Sequence, residues 1–178
     1  YILYIYNMKV VAFVPIKFNS VRLPNKNFLP LHNKPLCWHI FNILQHVSNI
    51  DEIYVYCSNE NIKKYIPDNI IFLKRSKHLD KDHIIGIDIY KSFVSKISAD
   101  IYILCHATSP YIKSESIQKG LNSVLYNDHD SSFSVKEIKT FCWYKDQPLN
   151  YKLNHIPKTQ DIESIYYETS AFYIFKKN

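Results

Sequence analysis

The chain has 178 residues, of which 47% are hydrophobic and 21% charged, as in a globular domain with one core. Its net charge of +6 indicates either an anionic partner or a solvated basic surface, and the scattered lysines argue against nucleic acid while allowing a small phosphorylated substrate. Four widely spaced cysteines with no CxxC pair argue against a disulfide framework and a structural zinc site, so a reducing cytoplasm is expected.

The two ends of the sequence bound the predicted domain. Residues 1–7 are apolar and lack the basic region and cleavage site of a signal peptide, and Met8 directly precedes the first strong strand. We therefore predict an upstream or disordered extension at 1–7 and one domain at 8–178. No stretch approaches the ~20 apolar residues that span a bilayer, so no membrane partner is expected. The sequence ends just after a strand, which predicts a domain truncated at its C-terminal side.

Strands are predicted where apolar runs occur, and helices where apolar residues recur at helical spacing. The predicted strands are, in order, 9–16, 53–57, 70–73, 100–105, 131–135 and 172–175. The predicted helices are 35–47, 60–65 with Ser58 as its N-cap, about 84–97, and 114–125. This alternation predicts an α/β, doubly wound, mostly parallel sheet in three α/β/α layers, which is a Rossmann-like fold.

Three polar loops follow predicted strands, at 17–27, 74–83 and 106–110. In doubly wound sheets, ligands bind outside the carboxyl ends of the strands, so we expect these loops to converge there. The first loop carries three cations among small polar side chains, a composition suited to a triphosphate. It contains no glycine, which excludes the dinucleotide fingerprint and the Walker pattern.

Several motifs follow one another in a fixed order. The first is VPIKFNSVRLPNKN at 14–27, followed by LHNKPL at 31–36. The later ones are LKRS at 73–76, KHLDKD at 77–82, HATSP at 106–110, KTQD at 158–161 and ETSAFYI at 168–174. Together they resemble the CMP-acylneuraminate synthetases over residues 8–178. The related Kdo cytidylyltransferases share the front half but usually lack the Lys26-Asn27 pair.

The resemblance implies a fold of the nucleotide-diphospho-sugar transferase type, a reaction and a set of site residues. The anomeric hydroxyl of an acidic nine-carbon sugar (sialic-acid type) attacks the α-phosphorus of CTP and expels pyrophosphate, with Mg²⁺ as cofactor. Lys17 and Lys26 are the implied catalytic cations. The residues implied for nucleotide binding are Ile16, Lys17, Ser20, Arg22, Lys26, Asn27, Arg75, Gly86 and His106. Those implied for the sugar are His106, Lys158 and Gln160.

The sequence departs from the family pattern at a few positions. Lys17 stands where arginine is usual, and His106 where glutamine is common. The family's late carboxylate segment for Mg²⁺ is not in the sequence, and Asp80 and Asp82 are interpreted as a solvated acidic loop, so no metal ligand is assigned. Related enzymes pair through an extra element, which predicts a homodimer formed through 141–157.

Each implied role has a plain structural alternative, such as a surface lysine, a turn-capping polar side chain or a satisfied histidine. Two other functions stay open at this point. One is a Kdo-type or other sugar nucleotidyltransferase, and the other is a non-catalytic nucleotide-binding protein. The motifs do not distinguish between nonulosonic acids.

Overall fold

The computed structural model describes residues 8–20 and 22–177, so the prediction for residues 1–7 lies outside the described residues. The α-helices are α1 (Leu36–Leu44), α2 (Gly86–Val94) and α3 (Ser114–Tyr126). The strands are β1 (Val10–Pro15), β2 (Pro30–Leu31), β3 (Lys34–Pro35), β4 (Glu52–Cys57), β5 (Ile71–Lys74), β6 (Ile101–Cys105), β7 (Ser131–Ile138), β8 (Trp143–Tyr144), β9 (Gln147–Pro148) and β10 (Ile165–Lys176). Short 3₁₀ helices span Lys26–Phe28, Glu60–Tyr65, Lys77–Asp80 and Thr159–Asp161.

The described chain divides into two compact units, one of residues up to 133 together with 171–177 and one of residues 134–170. Strands β7 and β10 each contribute residues to both. The main sheet has six strands in the order β5-β4-β1-β6-β10-β7. Strands β5, β4, β1 and β6 pair in parallel, and β10 is antiparallel to β6. The predicted doubly wound, mostly parallel α/β fold is confirmed.

The central strand β1 is buried on both faces, which explains its unbroken apolar sequence. Val10, Ala12 and Val14 join the core that includes α1 and α3, whereas Val11 and Phe13 join the core that includes α2. On the α2 side the rings of Phe13 and Phe93 stack with centroids 4.0 Å apart. Helices therefore cover both faces of the sheet, and the predicted three layers are confirmed.

Two predicted elements differ from the structure in kind or by more than three residues in extent. Residues 60–65 form a 3₁₀ helix, and its N-cap is Asn59 instead of the predicted Ser58. The Asn59 side-chain oxygen accepts a hydrogen bond from the backbone N–H of Asn61 at 3.0 Å, whereas Ser58 is buried at the end of the strand. The predicted strand 172–175 is the end of the 12-residue β10, which begins at Ile165 and contains one residue of left-handed backbone, Ser170.

Glycine is scarce, with two in the chain. Gly120 of α3 lies against the sheet: a Cβ there would meet the Phe172 ring at 2.8 Å and the Ser132 Oγ at 3.0 Å. No glycine of the described chain has a positive φ, and that backbone occurs instead at Asn25, His32, Asn33, Asn49, Asp128, Lys145 and Ser170. Asn and Asp tolerate the left-handed region better than most residues, so they supply most of these turns.

The second unit contains the two-residue strands β8 and β9, which pair antiparallel. Asn150 fixes the chain around this hairpin: its Nδ2 donates to the carbonyls of Thr140 at 2.9 Å and Glu163 at 2.7 Å, and its Oδ1 accepts from the N–H of Cys142. Several large apolar side chains of this unit are exposed, among them Trp143, Tyr144, Leu149, Leu153 and Ile156. Across both units, no helix in the described ranges is long and apolar enough to cross a membrane.

Candidate functional site

A cleft of about 290 Å³ lies at the carboxyl ends of the parallel strands. Lys17 lines it from the loop after β1, Arg75 from the loop after β5, and His106 from the loop after β6. The predicted convergence of the three loops is thus observed. The remaining lining residues are Pro15, Leu79, Asp80, Lys81, Asp82, Ile84, Gly86, Ile89 and Tyr90.

Arg75 is the buried cation of the cleft, with 2% of its surface exposed. Its Nη2 donates to the carbonyl of Ile16 at 3.2 Å and forms an ion pair with Asp80. Its backbone N–H donates to the carbonyl of Cys57 at 2.9 Å, so this one residue joins the ends of β1, β4 and β5. Its Nε is buried and has no hydrogen-bond partner among the described residues. A buried donor without a partner indicates that the site has capacity for a ligand acceptor.

Lys17 contributes a more accessible positive charge. Its Nζ donates to Asp82 Oδ1 at 2.9 Å, and the Asp82 side chain is largely exposed. The hydrogen bond and the charge of Lys17 lower the pKa of Asp82. The pair therefore persists at neutral pH and is lost only as the pH falls through this lowered pKa. Exposed pairs of this kind are weak, so an anionic ligand can replace Asp82 as the partner of Lys17.

The glycine-free loop after β1 is held by side chains. Asn27 is buried, and its Nδ2 donates to the carbonyl of Lys17 at 3.2 Å. The ring of Phe28 contacts those of Phe18 at 4.6 Å and Tyr65 at 4.4 Å, which fixes the loop to the core. Asn27 therefore positions the backbone of Lys17, which is the kind of structural role that the sequence analysis gave as the alternative to nucleotide binding.

Three other predicted residues of this loop do not line the cleft. Lys26 begins the 3₁₀ helix Lys26–Phe28 and is partly buried, Ser20 is partly buried, and Arg22 is exposed. Ile16 is buried, and it contributes to the site through its carbonyl, which accepts a hydrogen bond from Arg75. The nucleotide roles of Ser20, Arg22 and Lys26 stay predictions.

One wall of the cleft is built from Gly86, Tyr90 and His106. Gly86 and Tyr90 lie four residues apart on α2, and hence on one face of that helix. The Tyr90 hydroxyl lies 3.1 Å from His106 Nε2. Burial raises the pKa of Tyr90, so its hydroxyl keeps its proton at neutral pH. Sequence reasoning missed Tyr90, although its spacing from Gly86 on a helix that follows a cleft loop was an available signal.

The remaining predicted sugar-binding residues belong to the second unit. Lys158 is the N-cap residue of the 3₁₀ helix Thr159–Asp161, and Gln160 lies within that helix. Both side chains are exposed. Their predicted contact with a sugar stays a prediction.

The carboxylates of the cleft are already engaged with cations, Asp80 with Arg75 and Asp82 with Lys17. Within residues 8–20 and 22–177, no three His, Cys, Asp or Glu side chains are grouped so as to hold a metal ion. The side chains described therefore do not fit a protein-only Mg²⁺ site. Mg²⁺ commonly binds through substrate phosphates and one or two carboxylates, so the predicted ion fits best as part of a metal–nucleotide complex.

A second cavity of about 660 Å³ adjoins the cleft and shares Lys17 and Asp80 with it. Lys74 and Lys77 add two exposed cations to its lining, which also includes Glu60. The positive charge around Lys17 thus extends past the cleft, which suits a ligand carrying several phosphate groups.

Comparison with known proteins identifies relatives of two kinds. The sequence is 25% identical to N-acylneuraminate cytidylyltransferase of Streptococcus agalactiae serotype V, over 96% of this chain and 44% of that protein. It is 22% identical to 3-deoxy-manno-octulosonate cytidylyltransferase of Pelobacter propionicus, over 95% of this chain and 64% of that protein. The chain thus spans roughly half the length of these curated relatives.

The fold is similar to that of solved structures. CMP:2-keto-3-deoxy-manno-octonic acid synthetase complexed with CTP superposes with a TM-score of 0.69 at 18% identity, covering 94% of this chain and 74% of that one. The 4-diphosphocytidyl-2C-methyl-D-erythritol synthase of Anaerococcus prevotii gives 0.66 at 11% identity, covering 97% and 71%. Residues 11–178 match the family model described as cytidylyltransferase, and the chain therefore belongs to the cytidylyltransferase family.

Proposed function

We propose that this chain binds CTP in the cleft and couples it to an acidic nonulosonic sugar, giving a CMP-sugar and pyrophosphate. The observation that carries the proposal is the convergence of Lys17, Arg75 and His106 from three separate loops at the carboxyl edge of the sheet. Family membership supports the nucleotide part. The similarity to an N-acylneuraminate cytidylyltransferase supports the sugar part.

In the proposed reaction the protein positions the substrates and neutralises charge. The sugar's anomeric oxygen forms a bond to the α-phosphorus as the bond from that phosphorus to the bridging oxygen of the β-phosphate breaks. The bridging oxygen keeps the electron pair, pyrophosphate leaves, and the hydroxyl proton passes to solvent. Lys17 exchanges Asp82 for phosphate oxygens, and Lys26 is the second proposed cation. If CTP binds as its Mg²⁺ complex, the ion would be held by the phosphates and would supply further neutralisation of their charge.

The sugar is the finer part of the proposal, because relatives of this chain act on both sialic and 3-deoxy-manno-octulosonic acids. The Lys26-Asn27 pair and the KTQD element at 158–161 favour the sialic type. Within this pair, the Asn27 side chain donates to the carbonyl of Lys17 and so holds the backbone of a proposed catalytic cation.

Pyrophosphate release from CTP tests the proposal directly. We expect release by the purified chain with N-acetylneuraminate above that with 3-deoxy-manno-octulosonate, and no release by a Lys17→Met variant. Preference for the octulosonate would transfer the chain to the other branch of the family. CTP binding without release with any acid sugar would indicate a non-catalytic nucleotide-binding protein.

A homodimer formed through 141–157 is the proposed assembly. It is supported by the exposed side chains of Trp143, Tyr144, Leu149, Leu153 and Ile156, an apolar group large for a surface facing only water. Sedimentation equilibrium of the wild type and a Trp143→Ser variant tests it, because the variant dimer should have the larger dissociation constant. A wild-type monomer at every concentration contradicts the proposal.

We also propose a cytoplasmic location, because the cysteines are free.

A further inference from the structure

The aromatic ring of Tyr56 lies beside the buried guanidinium of Arg75. The guanidinium carbon is over the ring at 5.8 Å from its centroid, within the roughly 6 Å at which an aromatic face attracts a cation. Both residues are buried, Tyr56 with 0% and Arg75 with 2% of its surface exposed. Because this attraction is stronger where water is excluded, burial strengthens the contact.

The core holds the Tyr56 ring in place. Its hydroxyl oxygen lies 2.8 Å from Ser92 Oγ of α2, and the ring packs edge-on against Phe93 with centroids 5.5 Å apart. The backbone carbonyl of Tyr56 accepts a hydrogen bond from the N–H of Ile16 at 3.0 Å. The Ile16 carbonyl in turn accepts one from Arg75 at 3.2 Å. Tyr56 therefore supports Arg75 twice, directly through its ring and indirectly through Ile16.

The hydrogen bonds that the structure describes for the guanidinium come from one nitrogen. Arg75 Nη2 donates to the Ile16 carbonyl and to Asp80. Two bonds at a single nitrogen let the planar group pivot about that nitrogen. The Tyr56 ring supplies a contact at the guanidinium carbon, and this second point of support removes the pivot. Among the described residues the buried Nε has no hydrogen-bond partner, so these supports set its direction.

We infer that Tyr56 is a positioning residue whose ring sets the orientation of the Arg75 guanidinium, and with it the direction in which the cleft presents the Nε donor to a ligand. This inference deepens the proposed function and rests on it for its effect on CTP. Tyr56 does not line the cleft, so it acts through Arg75. A donor of fixed direction loses less freedom when a ligand binds, which increases affinity.

Nuclear spin relaxation measures how firmly the guanidinium is held. The sequence contains two arginines, Arg22 and Arg75, so ¹⁵N-arginine labelling gives two side-chain Nε signals, which an Arg22→Lys variant assigns. In the nucleotide-free wild type we expect an Arg75 order parameter close to that of rigid backbone, about 0.85. A wild-type value below about 0.6 would overturn the inference without any variant of Tyr56.

Three variants identify the part of Tyr56 that holds Arg75. Tyr56→Phe keeps the ring, and the order parameter should stay close to the wild-type value. Tyr56→Leu removes the ring, and the value should fall below about 0.6. Tyr54→Leu is the matched control, because Tyr54 lies on the same strand nearer its amino end and also packs edge-on against Phe93 at 5.5 Å. Arg75 rigid in Tyr56→Leu, or equally mobile in all three variants, contradicts the inference.

A substitution that preserves shape covers the case in which Tyr56→Leu does not fold. Trifluorophenylalanine at position 56 has nearly the shape of phenylalanine but a weaker negative face. It should therefore make Arg75 more mobile than Tyr56→Phe does. Equal order parameters for these two side chains would show that the ring does not hold Arg75 through its attraction for the cation.

CTP affinity measures the functional consequence. We expect Tyr56→Leu to weaken binding about tenfold, which is the order of one buried cation–π contact, and Tyr56→Phe and Tyr54→Leu to stay within about twofold of wild type. Unchanged affinity with a mobile Arg75 would refute the role in nucleotide binding. If the wild type does not bind CTP, the proposed function fails, while the relaxation data still decide the role of Tyr56.

Discussion

Replacing Arg75 by methionine tests whether the buried guanidinium organises the cleft. Methionine keeps most of the side-chain volume but removes the hydrogen bond to the Ile16 carbonyl and the ion pair with Asp80. A hydrogen bond to a charged group contributes about 1.5–3 kcal/mol. The pair adds about 1 kcal/mol, because Asp80 is partly exposed and water compensates for the loss. We therefore expect the free energy of unfolding to fall by about 2–4 kcal/mol.

Urea denaturation followed by circular dichroism measures this loss, with the slope of the transition showing whether unfolding stays two-state. The double variant Arg75→Met/Asp80→Asn separates the pair from the rest. Its loss should be smaller than the sum of the two single losses by about 1 kcal/mol, because each single change leaves one partner unpaired. Additive losses, or a loss below about 0.5 kcal/mol for Arg75→Met, would show that Arg75 does not organise the cleft.

Three further outcomes are expected. Asp82→Asn should tighten CTP binding about two- to fivefold by calorimetry, because it frees Lys17; weaker binding would count against competition by Asp82. Asn33→Gly should raise the free energy of unfolding by about 0.5 kcal/mol, since Asn33 has a φ of 63° in the two-residue turn between β2 and β3; a loss of stability would show that the turn needs the Asn side chain. A thiol reagent should label native protein at Cys142 alone, because Cys37, Cys57 and Cys105 are buried. Burial also raises the pKa of the Cys37 thiol to about 12. Fast labelling of more than one thiol would contradict this prediction.

The parallel part of the sheet was predictable because its strands are buried on both faces and therefore read as unbroken apolar runs. Boundaries shifted by one to three residues, since α1 and α2 end before their apolar patterns do. The edge strand β7 was predicted over residues 131–135 and extends to Ile138. The first half of β10 was missed, because its sequence contains no apolar run. The 3₁₀ form of residues 60–65 depends on the Asn59 cap, which competes with Ser58 one residue earlier.

The position of the candidate site followed from topology, because loops after parallel strands meet at one edge of the sheet. The partners within it did not follow. Nothing in the sequence indicates that Lys17 pairs with Asp82 or that Arg75 reaches the Ile16 carbonyl, since both contacts join residues about sixty positions apart. Tyr90 reads as a core aromatic of an amphipathic helix, and only its neighbour His106 reveals the polar use of its hydroxyl.

The two glycines of this chain have an unusual structural role. Left-handed backbone is adopted by other residue types, and both glycines lie where a methyl group would collide with a facing side chain. A search for turns by their glycines would miss every tight reversal described, whereas a search for asparagine would recover several. In saturation mutagenesis, the two helical glycines should accordingly tolerate few substitutions, whereas the turn positions should tolerate more. In most proteins the glycines that tolerate few substitutions are those in turns.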